Sequence, residues 1–185
     1  NGAAVVVSNK INTSVKRDLS GADRVADAAK LVVKNGATFK GSAVQLDSSA
    51  NMALADTLTV QAKALGLGAK HVAVGGSVKD EQAVVASAAL LNNKERIALR
   101  AYDALDLVGN ARLNQAGLKE VVLDAPIIRG VGASGDVAEV VADHVVLRNT
   151  SQKDPAPDAD QGTSKLLIKG QPPVADATAE GVTFG

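Results

Sequence analysis

The most specific chemical pattern in the sequence is Gly130-Val131-Gly132-Ala133-Ser134-Gly135. A G-x-G-x-x-G turn between a strand and a helix offers backbone N–H groups and the positive end of a helix dipole to a pyrophosphate. A dinucleotide fold also needs an acidic side chain about 20 residues further on to hold a ribose hydroxyl. After Leu147 the chain carries Arg148 and Asn149 instead, so the pattern stands without its partner. A second turn, Gly75-Gly76-Ser77, follows the Val-rich stretch ending at Val74, a position at the carboxyl end of a strand where α/β proteins bind ligands. Asp47 is expected near the same edge. Gly75, Gly76, Ser77, Gly130, Gly132 and Gly135 are therefore the candidate ligand-binding residues of a small α/β ligand- or nucleotide-binding protein or enzyme, although a tight turn and two helix caps use the same residue types.

Nucleophilic catalysis has little to work with. The chain has no Cys, and its only imidazoles, His71 and His144, each lie beside a Val-rich run. Such placement suits a packed edge better than a Ser-His-Asp triad. Neither histidine stands at zinc-ligand spacing from another ligand. Asp154, Asp158 and Asp160 gather hard oxygens suited to calcium, but no Glu closes the cage, and a solvated acidic linker explains the same residues. No other cofactor is suggested.

The composition bounds these readings. The 185 residues carry 20 Lys and Arg against 20 Asp and Glu, a net charge of zero, and only three aromatic residues, Phe39, Tyr102 and Phe184. A neutral chain so poor in stacking groups is not built for nucleic acid. No apolar run approaches the roughly 18 residues that cross a bilayer as a helix. The start at Asn1 suggests a removed leader. Asn12-Thr13-Ser14 and Asn149-Thr150-Ser151 fit the N-glycosylation acceptor pattern, which makes Asn12 and Asn149 candidate glycan sites of a secreted protein.

The elements that must position these residues read as alternating β and α. Ala3 to Ser8 is a Val-rich strand. A helix capped by Ser20 carries Val25, Ala28, Ala29 and Val32, and stops at Asn35-Gly36. Ala43 to Leu46 is a strand; Leu54, Leu58, Ala62 and Leu65 form a helical stripe; His71 to Val74 is a strand. Helical windows cover Asp80 to Leu91 and Lys94 to Val108, with Ile97, Ala101, Ala104 and Val108 on one face. Glu120 to Leu123 and Ile127-Ile128 are extended, Asp136 to Asp143 is a short helix and Val145 to Leu147 a strand. The expected fold is thus α/β, a layered and mostly parallel sheet with flanking helices. The body covers 1–150, an acidic Pro-containing linker 151–163, and an extension 164–185 with short strands at Leu166 to Ile168 and Val182 to Phe184. A weak internal echo pairs His71-Val72-Ala73-Val74 with His144-Val145-Val146-Leu147.

Arg17-Asp18-Leu19-Ser20-Gly21-Ala22-Asp23-Arg24, Ala53-Leu54-Ala55-Asp56-Thr57-Leu58 and His71-Val72-Ala73-Val74-Gly75-Gly76-Ser77-Val78 follow one another as the motifs of type 2 cell-wall-binding repeats do. Over about residues 1–90 the chain resembles those repeats, and its Val-rich opening is similar to that of archaeal surface-layer proteins. Val25 stands where the repeats carry an aromatic residue, and the second half is not matched. The resemblance implies a non-catalytic role in the cell envelope. With the strand-like ends, it leads to the expectation of a secreted structural protein at the cell surface, a surface-layer component or filament subunit, whose partners are copies of itself and envelope polymers. Ala3, Ala4, Val5, Val6 and Val7, with Val182, Thr183 and Phe184, would be its assembly strands, exchanged between copies to complete a neighbour's sheet, because an extended segment pairs with any open sheet edge.

Overall fold

The computed structural model describes residues 2–11, 31–49, 51–79, 83–151, 162–170 and 182–184. Within them the chain winds into stacked rungs of parallel strand, a β-solenoid-like arrangement. The first strand, β1 (Ala3–Ser8), runs antiparallel along the first rung. That rung is β2 (Leu31–Val33), β3 (Thr38–Lys40) and β4 (Ala43–Ser48). The second is β5 (Met52–Leu54), β6 (Thr59–Gln61) and β7 (Ala64–Val74). Leu31 lies opposite Met52, Thr38 opposite Thr59 and Ala43 opposite Ala64, one offset of 21 residues throughout.

The third rung replaces part of this path. β8 (Val84–Ala86) lies beside the end of β7, a single helical turn α1 (Ala88–Leu91) follows, and β9 (Arg96–Val108) runs the length of β7 with a bulge opposite Ala69 to His71. Ser87 caps α1 through its hydroxyl, which accepts from the Leu90 N–H. Then come β10 (Arg112–Leu113), β11 (Glu120–Asp124) and β12 (Ile128–Val131). β13 (Val137–Ala142) and β14 (His144–Arg148) follow, and last β15 (Lys165–Gly170) and β16 (Val182–Phe184). The main sheet has the order β1-β4-β7-β9-β11-β14-β16, and β10-β13-β15 forms a second sheet.

The layered α/β expectation is overturned: α1 is the one helix among the described residues. The stripe Leu54, Leu58, Ala62, Leu65 spans β5, β6 and the start of β7, and the windows at 94–108 and 136–143 are the strands β9 and β13. The reason is geometric. A short strand buries alternate residues, but each corner shifts that alternation by one or two positions. In β9 the core residues are Ile97, Leu99, Ala101, Leu105 and Leu107, so a gap of four falls among gaps of two and imitates a helical face. The helix expected to reach Val32 has its start outside the described residues, and its end, Leu31–Val33, is strand. The echo between His71 and His144 has the wrong phase, since His144 stands opposite Glu120, and His71 opposite Ala104.

Inward side chains repeat from rung to rung. Val44, Leu65, Ile97, Val121 and Val145 form one register line, and Leu46, Leu67, Leu99, Leu123 and Leu147 the next but one. Nine of these ten are buried and Leu147 packs against them. Fully burying such a side chain stabilises by roughly 1.5–3 kcal/mol, so this ladder is a main contributor to the fold's cohesion.

Candidate functional site

Side chains that alternate with these apolar lines along each strand point to the sheet's other face. One register line there reads Asp47, Gly68, Arg100, Asp124, Arg148. Although this is the side facing away from the core, Asp47 and Asp124 are buried. The Asp124 carboxylate accepts from Arg100 Nε at 3.2 Å, Arg148 Nε at 3.0 Å, the Thr150 N–H at 2.8 Å and the Thr150 hydroxyl at 2.7 Å. Burial pushes this carboxyl's pKa up, but the two bonds from Thr150 and the charges of Arg100 and Arg148 outweigh it and hold the group below its ordinary value. Burial would likewise lower Arg100, and the opposing Asp124 carboxylate raises it above its ordinary value. The Tyr102 hydroxyl donates to Asp47 Oδ1 at 3.4 Å. Gly68 makes room for that: a Cβ there would run into the Asp47 carboxylate.

A second buried carboxylate lies past the corner. Asp106 accepts from Arg129 Nε at 2.7 Å and Arg129 Nη2 at 3.3 Å, and meets His71 Nε2 at 2.9 Å. Burial again pulls its pKa up, and the His71 and Arg129 hydrogen bonds overcome it, leaving the carboxyl below its ordinary value. At the solvated margin Glu95 Oε1 and Oε2 take Lys63 at 2.8 Å and Lys119 at 2.9 Å. Those two hydrogen bonds lower the Glu95 pKa to about 2. Arg96 faces Glu120 at 3.7 Å, and Arg112 bonds Glu139 at 2.8 Å from the directly opposing register position.

A rule connects these pairs: from one rung to the next, the charge at a register position changes sign. Lys63, Glu95, Lys119 and Asp143 follow it, as do Arg100, Asp124 and Arg148, and Arg129 beside Asp106. Lys119 lies between Glu95 and Asp143 in the direction in which the rungs stack, and Asp124 lies between Arg100 and Arg148. Chemically the arrangement holds register, because a slip of one residue would take every pair apart and a slip of one rung would set like charges together.

The sequence-derived candidates are placed differently. The Gly130–Gly135 turn joins β12 to β13, both strands, so the helix N-terminus needed for a pyrophosphate is absent there. Its own chain fills it: Ala133 N–H donates to Asp136 Oδ2 at 2.8 Å, and Gly132 N–H donates to Thr163 Oγ1 at 2.9 Å. Gly130 lies in β12, close against Ser164 and Lys165, and Gly135 has open space around it. Gly75, at φ +86°, closes the turn after β7 against Ala111, where a Cβ would approach Ala111 Cβ to 2.6 Å. Gly76 is pressed on Val108, and Ser77 continues the turn. Asp47 is not brought to this turn but stands opposite Gly68, well back along β7. His71 is a hydrogen-bond partner of Asp106, and His144 opens β14.

Asn149 is exposed, and its Oδ1 accepts from the Ser151 hydroxyl at 2.6 Å. Asn12 and the calcium candidates Asp154, Asp158 and Asp160 lie outside the described residues. Among the described residues no three His, Cys, Asp or Glu side chains gather as a metal site, and no helix is long and apolar enough to cross a membrane. The assembly candidates Ala3, Ala4, Val5, Val6 and Val7 pair with β4, and Val182, Thr183 and Phe184 with β14, all within the same chain.

Arg100, Asp106, Asp124, Arg129 and Arg148 were not singled out by sequence reasoning. A signal for three of them exists: Arg100, Asp124 and Arg148 are spaced by 24 residues, as are Arg96, Glu120 and His144. Comparison with protein-family models, curated proteins and solved structures found no match to this chain.

Proposed function

We propose that the chain is a structural, self-associating solenoid segment of the cell exterior, as a surface-layer component or part of an extracellular filament. The observation that carries the reading is the charge ladder. Two buried carboxylates, Asp106 and Asp124, are held by cations from neighbouring strands, an investment in keeping rungs aligned. The ends support association. Among the described residues β1 and β16 are the outermost strands of the main sheet, each with one partner strand. Val5 and Val7 stand opposite Leu46 and Val44 on the core side, yet are 43% and 46% exposed. An apolar line that ends in solvent at a sheet edge favours another strand laid upon it. Both terminal strands pair at home, so association adds strands to these edges and does not require exchange.

Sizing and electron microscopy of the purified chain test this directly. The expectation is concentration-dependent oligomers or fibres that are lost when Val5 and Val7 are both replaced by Lys, while the circular-dichroism spectrum stays that of the parent. A chain that stays monomeric at high concentration, or one whose polymers survive the double substitution, sinks the reading.

A further inference from the structure

The third rung leaves a gap. Above β6 the chain places α1 and the turn Asn92-Asn93 in place of a strand, and a cavity of about 500 Å³ opens between them. Lys94 lines it and is only 6% exposed. Its ammonium donates to Val60 O at 3.1 Å and to Asn92 O at 3.1 Å, which uses two of three N–H groups. Among the described residues no carboxylate lies within ion-pair distance of it. In the charge ladder, by contrast, the buried carboxylates Asp106 and Asp124 have cationic partners. Burial without a counter-charge lowers the Lys94 pKa, as expected for an ammonium taken from water uncompensated.

The rest of the wall is mixed, with Leu58, Val60, Ala62 and Ala89 beside polar groups. Thr59 and Gln61 project from β6, with Asn92 and Asn93 across from them, all four exposed. Asn93 holds the left-handed conformation at φ +59°, uncommon outside glycine though eased for Asn, which turns the chain sharply at the cavity's margin. Asp56 stands at the rim, exposed to solvent and therefore screened. Two neutral carbonyls explain why Lys94 is anchored. They do not explain why a full charge is buried there, beside amide and hydroxyl groups able to grip an anion's oxygens.

We propose that this cavity is a binding site for a small anion bearing a carboxylate or phosphate group, with Lys94 as its counter-charge and Thr59, Gln61, Asn92 and Asn93 as its hydrogen-bonding wall. The site is independent of the charge ladder and of self-association. The test is a heteronuclear NMR titration of the full chain with sodium malonate and, separately, sodium phosphate, at ionic strength held constant with sodium chloride. Saturable shifts of the Lys94 side chain and of the Thr59, Gln61 and Asn93 amides are expected. Binding should weaken by about 10-fold or more in Lys94→Gln, the loss of one charged hydrogen bond. Response to malonate alone assigns a carboxylate ligand, to phosphate alone a phosphate ester, and to both a general small-anion site. If Lys94→Gln does not fold, Thr59→Val with Gln61→Leu should weaken the same titration. The proposal is overturned by no saturable shift up to about 10 mM anion, well above a millimolar Kd, or by equal binding in the variants.

Discussion

At the scale of single residues, the chemistry of this protein lies in two buried carboxylates, Asp106 and Asp124. Each would be costly to bury alone, and each is offset by arginine and by hydrogen bonds donated to its charged form. Both carboxyls titrate below their ordinary value when folded. The unfolded chain therefore binds protons more readily, and the stability they contribute is complete above the unfolded pKa of about 4 and lost as pH falls through the lower folded values. A thermal melt series from neutral to acid pH should show Tm level to about pH 5 and falling below it. Substituting both aspartates by Asn should flatten that fall. An unchanged acid slope in the double variant would assign the loss to other groups.

At the scale of elements, the unit is the register line that crosses the strands. β4, β9, β11 and β14 are each apolar toward the core and each contribute one charge to the line of Asp124, which β7 crosses with Gly68. Asp124→Asn keeps the size and removes the charge, leaving Arg100 and Arg148 facing each other across it. Breaking a buried pair from one side costs about 3 kcal/mol, read as a lower urea midpoint with the slope unchanged. Restoring the line from the other side, by Arg100→Gln in the same chain, should recover part of that loss; simple additivity would mean that the two residues do not act through each other.

At the scale of the whole molecule, stacked rungs make a nearly one-dimensional body in which each rung rests on its neighbours. Among the described residues, interior rungs have a partner on both sides, and β1 and β16 on one. Amide hydrogen exchange should therefore be slowest in β7, β9 and β11 and progressively faster toward both ends. Uniform protection from β1 to β14 would instead mean that the stack opens only as a unit. The alternation of charge points the same way as this architecture. It makes one stacking order favourable and places like charges together in the others, which suits a chain whose work is to stay in line.

The sequence by itself determined which stretches are extended at Ala3 to Ser8, at Ala43 to Leu46, at Glu120 to Leu123, and at 145–147, 166–168 and 182–184, because Val-rich runs bounded by turns leave little choice. It also determined that the chain carries no thiol chemistry. It did not determine that Lys94 to Val108 is a strand. Ile97 and Ala101 lie four apart because the inward face of a strand returns every second residue, and the stripe continues at irregular spacing past Ala101 because a bulge falls there, set by the neighbouring strand. Nor could it show that Asp124 would meet Arg100 and Arg148, or that Lys94 would be buried at a gap in the stack. Contacts across 24 residues depend on how many residues each rung spends at its corners. That number is settled only when inward side chains lock against those of the rung below, so the tertiary structure decided both the ladder and the cavity.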